Sequence, residues 1–250
     1  MDKNYYLEYY ELERAHWWFL ARTKLLETQI QKLLKPISKP KILNIGAATG
    51  ASTLWLQQFG EVVSVEYEKD CIAFVKEKCG LVLEEGSILA LNFAANSFDL
   101  VCAFDVVEHV ADEQLAMQEM NRVCAPNGHV VVTVPCFMSL WSKHDEVNHH
   151  FKRYTLAELE DIAPTALEKV FASYFNSILF IPIYLVRKTA NLFPKLLKRE
   201  GTGSDFGLVK SKILNNFFYL LFVSENIFLR NKISLPFGVS AMAIWKKNQF

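Results

Sequence analysis

Residues 41–50 constrain the fold more than any other segment of this chain. They read KILNIGAATG, in which a short apolar run passes directly into a loop of very small residues, and a helical pattern follows over 52–59. Strand, small-residue turn and helix form a unit in which a ligand lies against bare backbone at the carboxyl end of a parallel sheet. A second apolar run, 62–65, ends in Glu66, where a carboxylate can accept two hydrogen bonds from a ribose diol.

The spacing of small residues in the turn discriminates between nucleotide cofactors. A dinucleotide-binding turn needs glycine at its first, third and sixth positions, which here are Gly46, Ala48 and Ala51. The order Gly46, Ala48, Gly50 instead resembles motif I of the class I S-adenosylmethionine-dependent methyltransferases. Asn44 and Ala48 depart from that motif, which usually has an acidic residue and a middle glycine at these positions.

Four further segments resemble the same family, in the ubiquinone-biosynthesis-like branch, and follow the turn in the family's order. They are Gly86-Ser87-Ile88, the N-x-F-D-x-V strand entry at 96–101, the segment ending in E-H-V at 104–110, and the P-x-G turn at 126–128. The resemblance covers roughly residues 40–140. It implies S-adenosyl-L-methionine as the cofactor, bound by residues of the turn and of three strand ends: Asn44, Gly46, Ala48, Gly50, Glu66, Ser87, Ile88, Phe104 and Asp105.

Alternating strand and helix patterns predict an α/β fold with a doubly wound, mostly parallel sheet. Strands are expected near 41–45, 62–66, 81–84, 99–104 and 129–134, with helices near 52–59, 69–78 and 112–124. Parts of 168–180 suit a sixth strand. By resemblance, 239–245 is the antiparallel last strand of the methyltransferase fold. The expected organisation is an N-terminal helical cap (1–40), a cofactor-binding core (41–173), an apolar helical insertion (174–232) and a returning final strand (233–250).

Composition limits the functional class. The 250 residues carry 27 basic and 27 acidic side chains, and this zero net charge disfavours a nucleic-acid partner. The five cysteines form no C-x-x-C pair and read as reduced thiols, typical of a cytoplasmic protein. The first residues lack the apolar core of a signal peptide, and no uninterrupted apolar run reaches 18 residues.

Two segments outside the turn contain candidate site residues. The loop 141–154, WSKHDEVNHHFKRY, follows the fifth strand and should overhang the ligand cleft. It resembles an H-x-(R/K)-R-Y-T segment of membrane-linked relatives. We expect His144 or His150 to act as a base and Arg153 to hold an anion, with His109 a further candidate base; a solvated polar loop is the alternative. No metal site is expected.

The second segment, near the N-terminus, reads E-x-x-H-W-W-F-x-x-R over 13–22 and resembles a block of the same relatives. Its aromatic residues are expected either to cover the cofactor cleft or simply to pack the helix on the sheet. Arg22 is expected to face an anionic group.

The insertion carries two apolar runs, 178–186 and 217–223, with cations around them: Lys195, Lys198, Arg199, Lys210, Lys212, Arg230 and Lys232. We expect it to lie on the inner face of a membrane, with a helical cap on the sheet or a homodimer interface as alternatives. The expected function is O-methylation of a small molecule, a lipid or a lipid-linked sugar. The rival functions are a non-catalytic cofactor-binding scaffold and a nicotinamide-dependent dehydrogenase.

Overall fold

The computed structural model describes residues 3–192 and 211–249, in which seven strands form one sheet in the order β3-β2-β1-β4-β5-β7-β6. The strands are β1 (Lys41–Ile45), β2 (Glu61–Glu66), β3 (Glu84–Glu85), β4 (Phe98–Phe104), β5 (Cys124–Pro135), β6 (Leu167–Phe175) and β7 (Ser240–Lys247). Strands β1 to β5 pair in parallel, whereas β7 lies antiparallel between β5 and β6. This topology confirms the expected doubly wound sheet with an antiparallel last strand.

Two strand boundaries differ from the sequence prediction. The third strand was expected over 81–84, but only Glu84 and Glu85 pair with β2, so β3 is a two-residue edge strand. Strand β5 begins at Cys124 rather than near 129, and its pairing with β4 shifts register between Phe98 and Leu100. The 126–128 segment, expected as a turn before β5, therefore lies within the strand and accommodates this irregularity, with Asn127 at a φ of +63°.

Ten α-helices lie within the described residues. They are α1 (Lys3–Ala15), α2 (Trp17–Leu34), α3 (Ala51–Leu56), α4 (Lys69–Cys79), α5 (Glu113–Val123), α6 (Lys143–Val147), α7 (Leu156–Asp161), α8 (Phe180–Leu192), α9 (Lys212–Ser224) and α10 (Asn226–Leu229). Helix α5 shows why these segments are helical: Asp112 caps it by accepting from the Leu115 N–H at 2.9 Å, and Met117, Met120 and Val123 are buried at helical spacing.

The two faces of the sheet carry different layers. One face packs against α5 and α7 through residues such as Val101, Met120 and Leu159. The other face carries α2 together with α9, whose Phe222 is fully buried and stacks on Phe175 at 5.9 Å between ring centroids. The inner side of the insertion therefore caps the sheet, as one of the alternatives predicted.

The insertion begins after β6 ends at Phe175, two residues later than expected, because 174–175 still pair with β7. Of its expected cations, Lys195, Lys198, Arg199 and Lys210 lie outside the described residues, whereas Lys212, Arg230 and Lys232 are exposed. Within residues 3–192 and 211–249, no helix combines the length and the apolar character that a bilayer crossing requires.

Candidate active site

The turn after β1 has a backbone that few residue types tolerate. Gly46, Ala48 and Gly50 all have positive φ values, of +67°, +44° and +84°. A Cβ at position 46 would lie 2.5 Å from Cγ2 of Val106, so only glycine fits there. The close approach brings the turn against the segment that follows β4, at the carboxyl edge of the sheet.

Glu66 ends β2 beside this turn. One carboxylate oxygen, Oε2, accepts from the Ala48 N–H at 2.8 Å, and Oε1 accepts from the N–H groups of Tyr67 and Glu68 at 2.9 and 3.1 Å. Each carboxylate oxygen has about two acceptor directions. One direction on Oε2 is therefore left for a ligand hydroxyl, and its role in binding ribose stays a prediction.

The Asn44 side chain, on β1, holds the start of α3 next to the turn through hydrogen bonds. Its buried amide donates to Ser52 Oγ at 2.9 Å and to Thr53 Oγ1 at 3.2 Å, which ties β1 to the first turn of α3. An amide in place of the usual carboxylate suits these hydroxyl partners, because it donates where a carboxylate only accepts.

The other predicted cofactor residues occupy different environments. Ser87 accepts from the Leu89 N–H at 3.2 Å, and Ile88 is buried in the core cluster that contains Val65. Phe104 packs its ring 5.7 Å from Trp55, in the layer of the N-terminal helices. Their contact with adenine remains a prediction.

Asp105 follows β4 with a φ of +56° and does not cap the following 3-10 turn, which has no side-chain cap. Its carboxylate accepts from Thr133 Oγ1 at 3.2 Å and forms an ion pair with Arg22, whose guanidinium lies 4.7 Å from the Trp18 ring. Arg22 was expected to face an anionic group, and in this structure that group is the carboxylate of Asp105.

Helix α1 covers the turn. Thr49 donates from its hydroxyl to the buried carboxylate of Glu13, and its carbonyl accepts from Arg14 at 3.1 Å. Tyr6 packs in one small cluster with Ala47 and Val75. The N-terminal block therefore contacts the predicted cofactor turn directly, in addition to packing α2 on the sheet.

A cavity of about 300 Å³ opens next to Asp105. None of Gly46, Ala48, Gly50 or Glu66 lines it, whereas Asp105, directly after β4, does. Its walls are mainly apolar and come from α2, α8 and α9; they include Trp17, Trp18, Leu179, Pro182, Ile183, Val186 and Phe218. Its polar end includes Asp105, Glu108, His109, His144, Asn148, His150 and Arg153.

Asp145 organises the polar end. This fully buried carboxylate accepts from His150 Nδ1 at 2.9 Å, from Arg153 Nε at 2.7 Å and from the Ser142 N–H at 2.8 Å. Burial alone would raise its pKa, but the hydrogen bond from His150 and the charge of Arg153 outweigh burial and hold the pKa below its usual range. Because an ionised carboxylate only accepts, His150 donates to Asp145 from Nδ1, and in the neutral tautomer that this bond selects the lone pair is on Nε2.

Arg153 lines the cavity as its predicted role requires, but its guanidinium is already bonded within the protein. Its guanidinium is buried, bonded to Asp145 and donating to the Cys136 carbonyl at 3.2 Å. In this arrangement it fixes Asp145 rather than presenting a free fork to an acceptor anion. His144 lines the cavity, and its ring nitrogens lie 3.3 and 3.5 Å from Asn148 Nδ2.

Glu108 and His109 come from the 3-10 turn after β4 and meet His150 across the cavity. The rings of His109 and His150 are edge-to-face at 4.6 Å between centroids. Loss of hydration in the cleft, followed by repulsion from His150, lowers the pKa of His109. Burial, and then the charge of Asp105, raise the pKa of Glu108 well above its ordinary value.

Sequence reasoning missed Asp145 and Glu108 as site residues. Both stand next to histidines that it did select, in His144-Asp145 and Glu108-His109. An acid beside a candidate histidine was the available signal, but only the fold shows that Asp145 bonds His150, five residues away, and that Glu108 faces the cavity.

Comparisons with known proteins relate this chain to methyltransferases. Residues 43–132 match the family model described as a methyltransferase domain. The demethylmenaquinone methyltransferase of Staphylococcus aureus (strain JH9) is 31% identical over 116 residues, which cover 41% of this chain and 48% of that protein. The chain thus spans about half the length of the curated relatives that it matches.

Solved structures share the fold at low sequence identity. A candidate sarcosine dimethylglycine methyltransferase from Galdieria sulphuraria aligns with a TM-score of 0.61 at 16% identity, covering 92% of this chain and 86% of that one. Phosphoethanolamine N-methyltransferase 2 of Haemonchus contortus, in complex with S-adenosyl-L-methionine, aligns with a TM-score of 0.54 at 17% identity, covering 88% and 52%. At such identities the likeness establishes the class I methyltransferase fold and nothing finer.

Proposed function

We propose that this chain, whose residues 43–132 match a methyltransferase-domain model, transfers the methyl group of S-adenosylmethionine to an acceptor held in the cavity. One observation carries the proposal: the buried Asp145 holds His150 at the polar end of an apolar cavity, next to the carboxyl edge of the sheet. Reacting groups gather at that edge in doubly wound folds.

The turn and Glu66 fit the proposed cofactor. Residues 46, 48 and 50 have positive φ values, and the Glu66 carboxylate lies at the strand end with one acceptor direction left for a ribose hydroxyl. When bound, the cofactor supplies an activated methyl group. The protein then has to align the acceptor and remove its proton.

His150 is suited to take that proton. Asp145 fixes the tautomer that leaves the lone pair on Nε2, and the imidazole lines the cavity. A neutral imidazole next to a bound hydroxyl is an effective general base near neutral pH. This is the basis for proposing an oxygen as the acceptor atom.

The apolar walls suggest an acceptor with an apolar body. Trp17, Ile183 and Phe218 line one cavity although they come from three helices, two of them in the insertion. The Staphylococcus aureus relative is, by its name, a methyltransferase acting on demethylmenaquinone. We therefore propose a small lipid or lipid-linked molecule as the acceptor, with a quinol, the reduced form of a quinone, as a specific candidate because it carries the hydroxyl that His150 would deprotonate.

We further propose that the outer side of the insertion rests on a membrane surface. Ile213, Phe217 and Leu220 lie on one face of α9 and are 82%, 53% and 63% exposed. Ile181 and Leu185 of α8 are also exposed. Because both helices also line the cavity, a lipid acceptor could enter it from the bilayer.

Methyl transfer is tested with radiolabelled S-adenosylmethionine and a total bacterial lipid extract, by counting label in the organic phase. We expect His150→Ala to lower turnover by about 10²-fold with cofactor affinity retained. His149→Asn is the matched control, since His149 is exposed, does not line the cavity and has a φ of +56° that asparagine tolerates. Equal turnover in wild type and His150→Ala would refute the role of His150; bound cofactor without transfer to any lipid would favour the scaffold alternative.

Membrane contact is tested by flotation with vesicles containing anionic lipid. The wild-type protein should float, and the Ile213→Ser/Phe217→Ser/Leu220→Ser variant should stay at the bottom. The control is Tyr67→Ser/Val82→Ser, which removes exposed apolar residues far from the insertion in sequence. A wild-type protein that does not float and is a stable dimer by light scattering would favour the homodimer interface instead.

A further inference from the structure

The polar end of the cavity holds a cluster that base catalysis by His150 does not use. Glu108, His109 and His150 each offer one ligand atom, and these atoms all lie within 4.8 Å of one another. The first two come from the turn after β4 and the third from the loop after β5. The Phe151 N–H donates to the Glu108 carbonyl at 2.8 Å and so joins the two segments.

Glu108 is the unusual member. It is 1% exposed, and neither of its carboxylate oxygens has a hydrogen-bond partner among the described residues. Buried carboxylates are normally paired with a cation or bound to a metal, because their desolvation is costly. The nearby guanidinium groups of Arg22 and Arg153 are taken by Asp105 and Asp145. Neither guanidinium therefore pairs with Glu108, so its ionised form would need another cation.

His150 is oriented as a metal-binding histidine is. Its Nδ1–H bonds the Asp145 carboxylate at 2.9 Å, and Asp145 is itself held by Ser142 and Arg153. A carboxylate behind a ligating histidine fixes the ring and leaves Nε2 for the ion. The edge-to-face contact at 4.6 Å places the His109 ring beside it.

We propose that Glu108, His109 and His150 bind a divalent cation at the polar end of the cavity. Two imidazoles and one carboxylate suit Zn²⁺, Mn²⁺ or Co²⁺ better than Mg²⁺ or Ca²⁺, which prefer oxygen ligands. This differs from the sequence prediction, which expected no metal.

The cation would also define the acceptor, a step that rests on the proposed function. Three protein ligands leave coordination positions open towards the cavity. With one ligand carboxylate against two positive charges, the site favours an oxygen anion, such as a phenolate or enolate. His150 would then act as a ligand, and the cation would lower the pKa of the acceptor hydroxyl so that its proton passes to solvent water rather than to a side-chain base.

Metal binding is measured directly, without reference to activity. Protein stripped with EDTA is titrated with Zn²⁺ by calorimetry, and the metal retained after dialysis is counted by plasma mass spectrometry. We expect one ion per chain, with at least 10-fold weaker binding in Glu108→Gln and in His109→Asn and a much weaker response to Mg²⁺. His149→Asn should bind as wild type does, and circular dichroism should show that each variant is folded.

Unchanged Zn²⁺ affinity in folded Glu108→Gln or His109→Asn would overturn the proposal, and so would the absence of a bound ion in the wild type. Asp145→Asn adds a second test, since loss of the carboxylate behind a ligating histidine should weaken binding about 10- to 100-fold. Methyl transfer that persists in EDTA would overturn the cation's role in the reaction while leaving the proposed function intact.

Discussion

Replacing Asp145 by asparagine should destabilise the fold more than any exposed acid-to-amide change. The substitution keeps the shape of the side chain but removes the charge that pairs with Arg153, whose side chain is 2% exposed. Breaking a buried pair in this way typically costs about 3–5 kcal/mol, because the remaining charge is left uncompensated. The amide also presents only one acceptor oxygen to the donors from Ser142, His150 and Arg153.

The expected shift in melting temperature follows from chain length. Unfolding entropy near 60 °C is about 2.1 cal/mol/K per residue, so for 250 residues this loss lowers Tm by about 6–10 °C. Differential scanning calorimetry at pH 7 measures the shift. Asp161→Asn is the matched control, because Asp161 is exposed at the end of α7, and its Tm should stay close to that of the wild type.

A second substitution separates the charge from the hydrogen bonds. Adding Arg153→Met to Asp145→Asn removes the unpaired guanidinium and should recover part of the lost stability. A Tm for Asp145→Asn within about 2 °C of the wild type would refute the reasoning, and a double variant less stable than the single would show that the buried charge is not the origin of the loss.

Two further predictions concern the cofactor turn and pH. Glu66→Ala should weaken S-adenosylmethionine binding about 5- to 150-fold by calorimetry, which corresponds to roughly 1–3 kcal/mol of lost hydrogen bonding. The control Glu85→Ala, on the adjacent strand, should leave the affinity unchanged. Unchanged affinity in Glu66→Ala would refute the assignment of Glu66 to the cofactor. Burial lowers the pKa of His16 to about 4. The unfolded chain therefore binds more protons between pH 6.5 and 4, and stability should fall as pH falls through this window, by up to about 3 kcal/mol from this group. His16→Asn, which keeps an N-cap for α2, should flatten that slope in urea titrations, and an identical slope would contradict the assignment.

Most of the sheet could be predicted from the sequence because its strands are short apolar runs ending in small or acidic residues. The third strand could not. It pairs through only two residues, both exposed glutamates, so its position depends on the end of β2 rather than on its own side chains. The start of β5 was also missed, because Pro126 and Gly128 are turn residues by propensity yet lie in a strand whose register is irregular.

The sequence located segments that line the cavity, but it did not show which distant residues pair with one another. The loop 141–154 does overhang the cavity, as its place after β5 implied. The pairing of Arg22 with Asp105, and the contribution of Trp17, Ile183 and Phe218 to one wall, depend on how α2, α8 and α9 pack. No local pattern contains that information.

The position of β7 has a consequence for synthesis on the ribosome. Residues 240–247 lie between β5 and β6, so β6 has no neighbouring strand and β5 has only β4 until this segment has been made. Until then two strands rich in valine and aromatic residues have unpaired backbone edges, a state prone to aggregation. Val239 and Ser240 also line the cavity, so a nascent chain cannot complete the cavity before β7 docks. We expect emergence of this strand to be the step at which chaperone protection matters most.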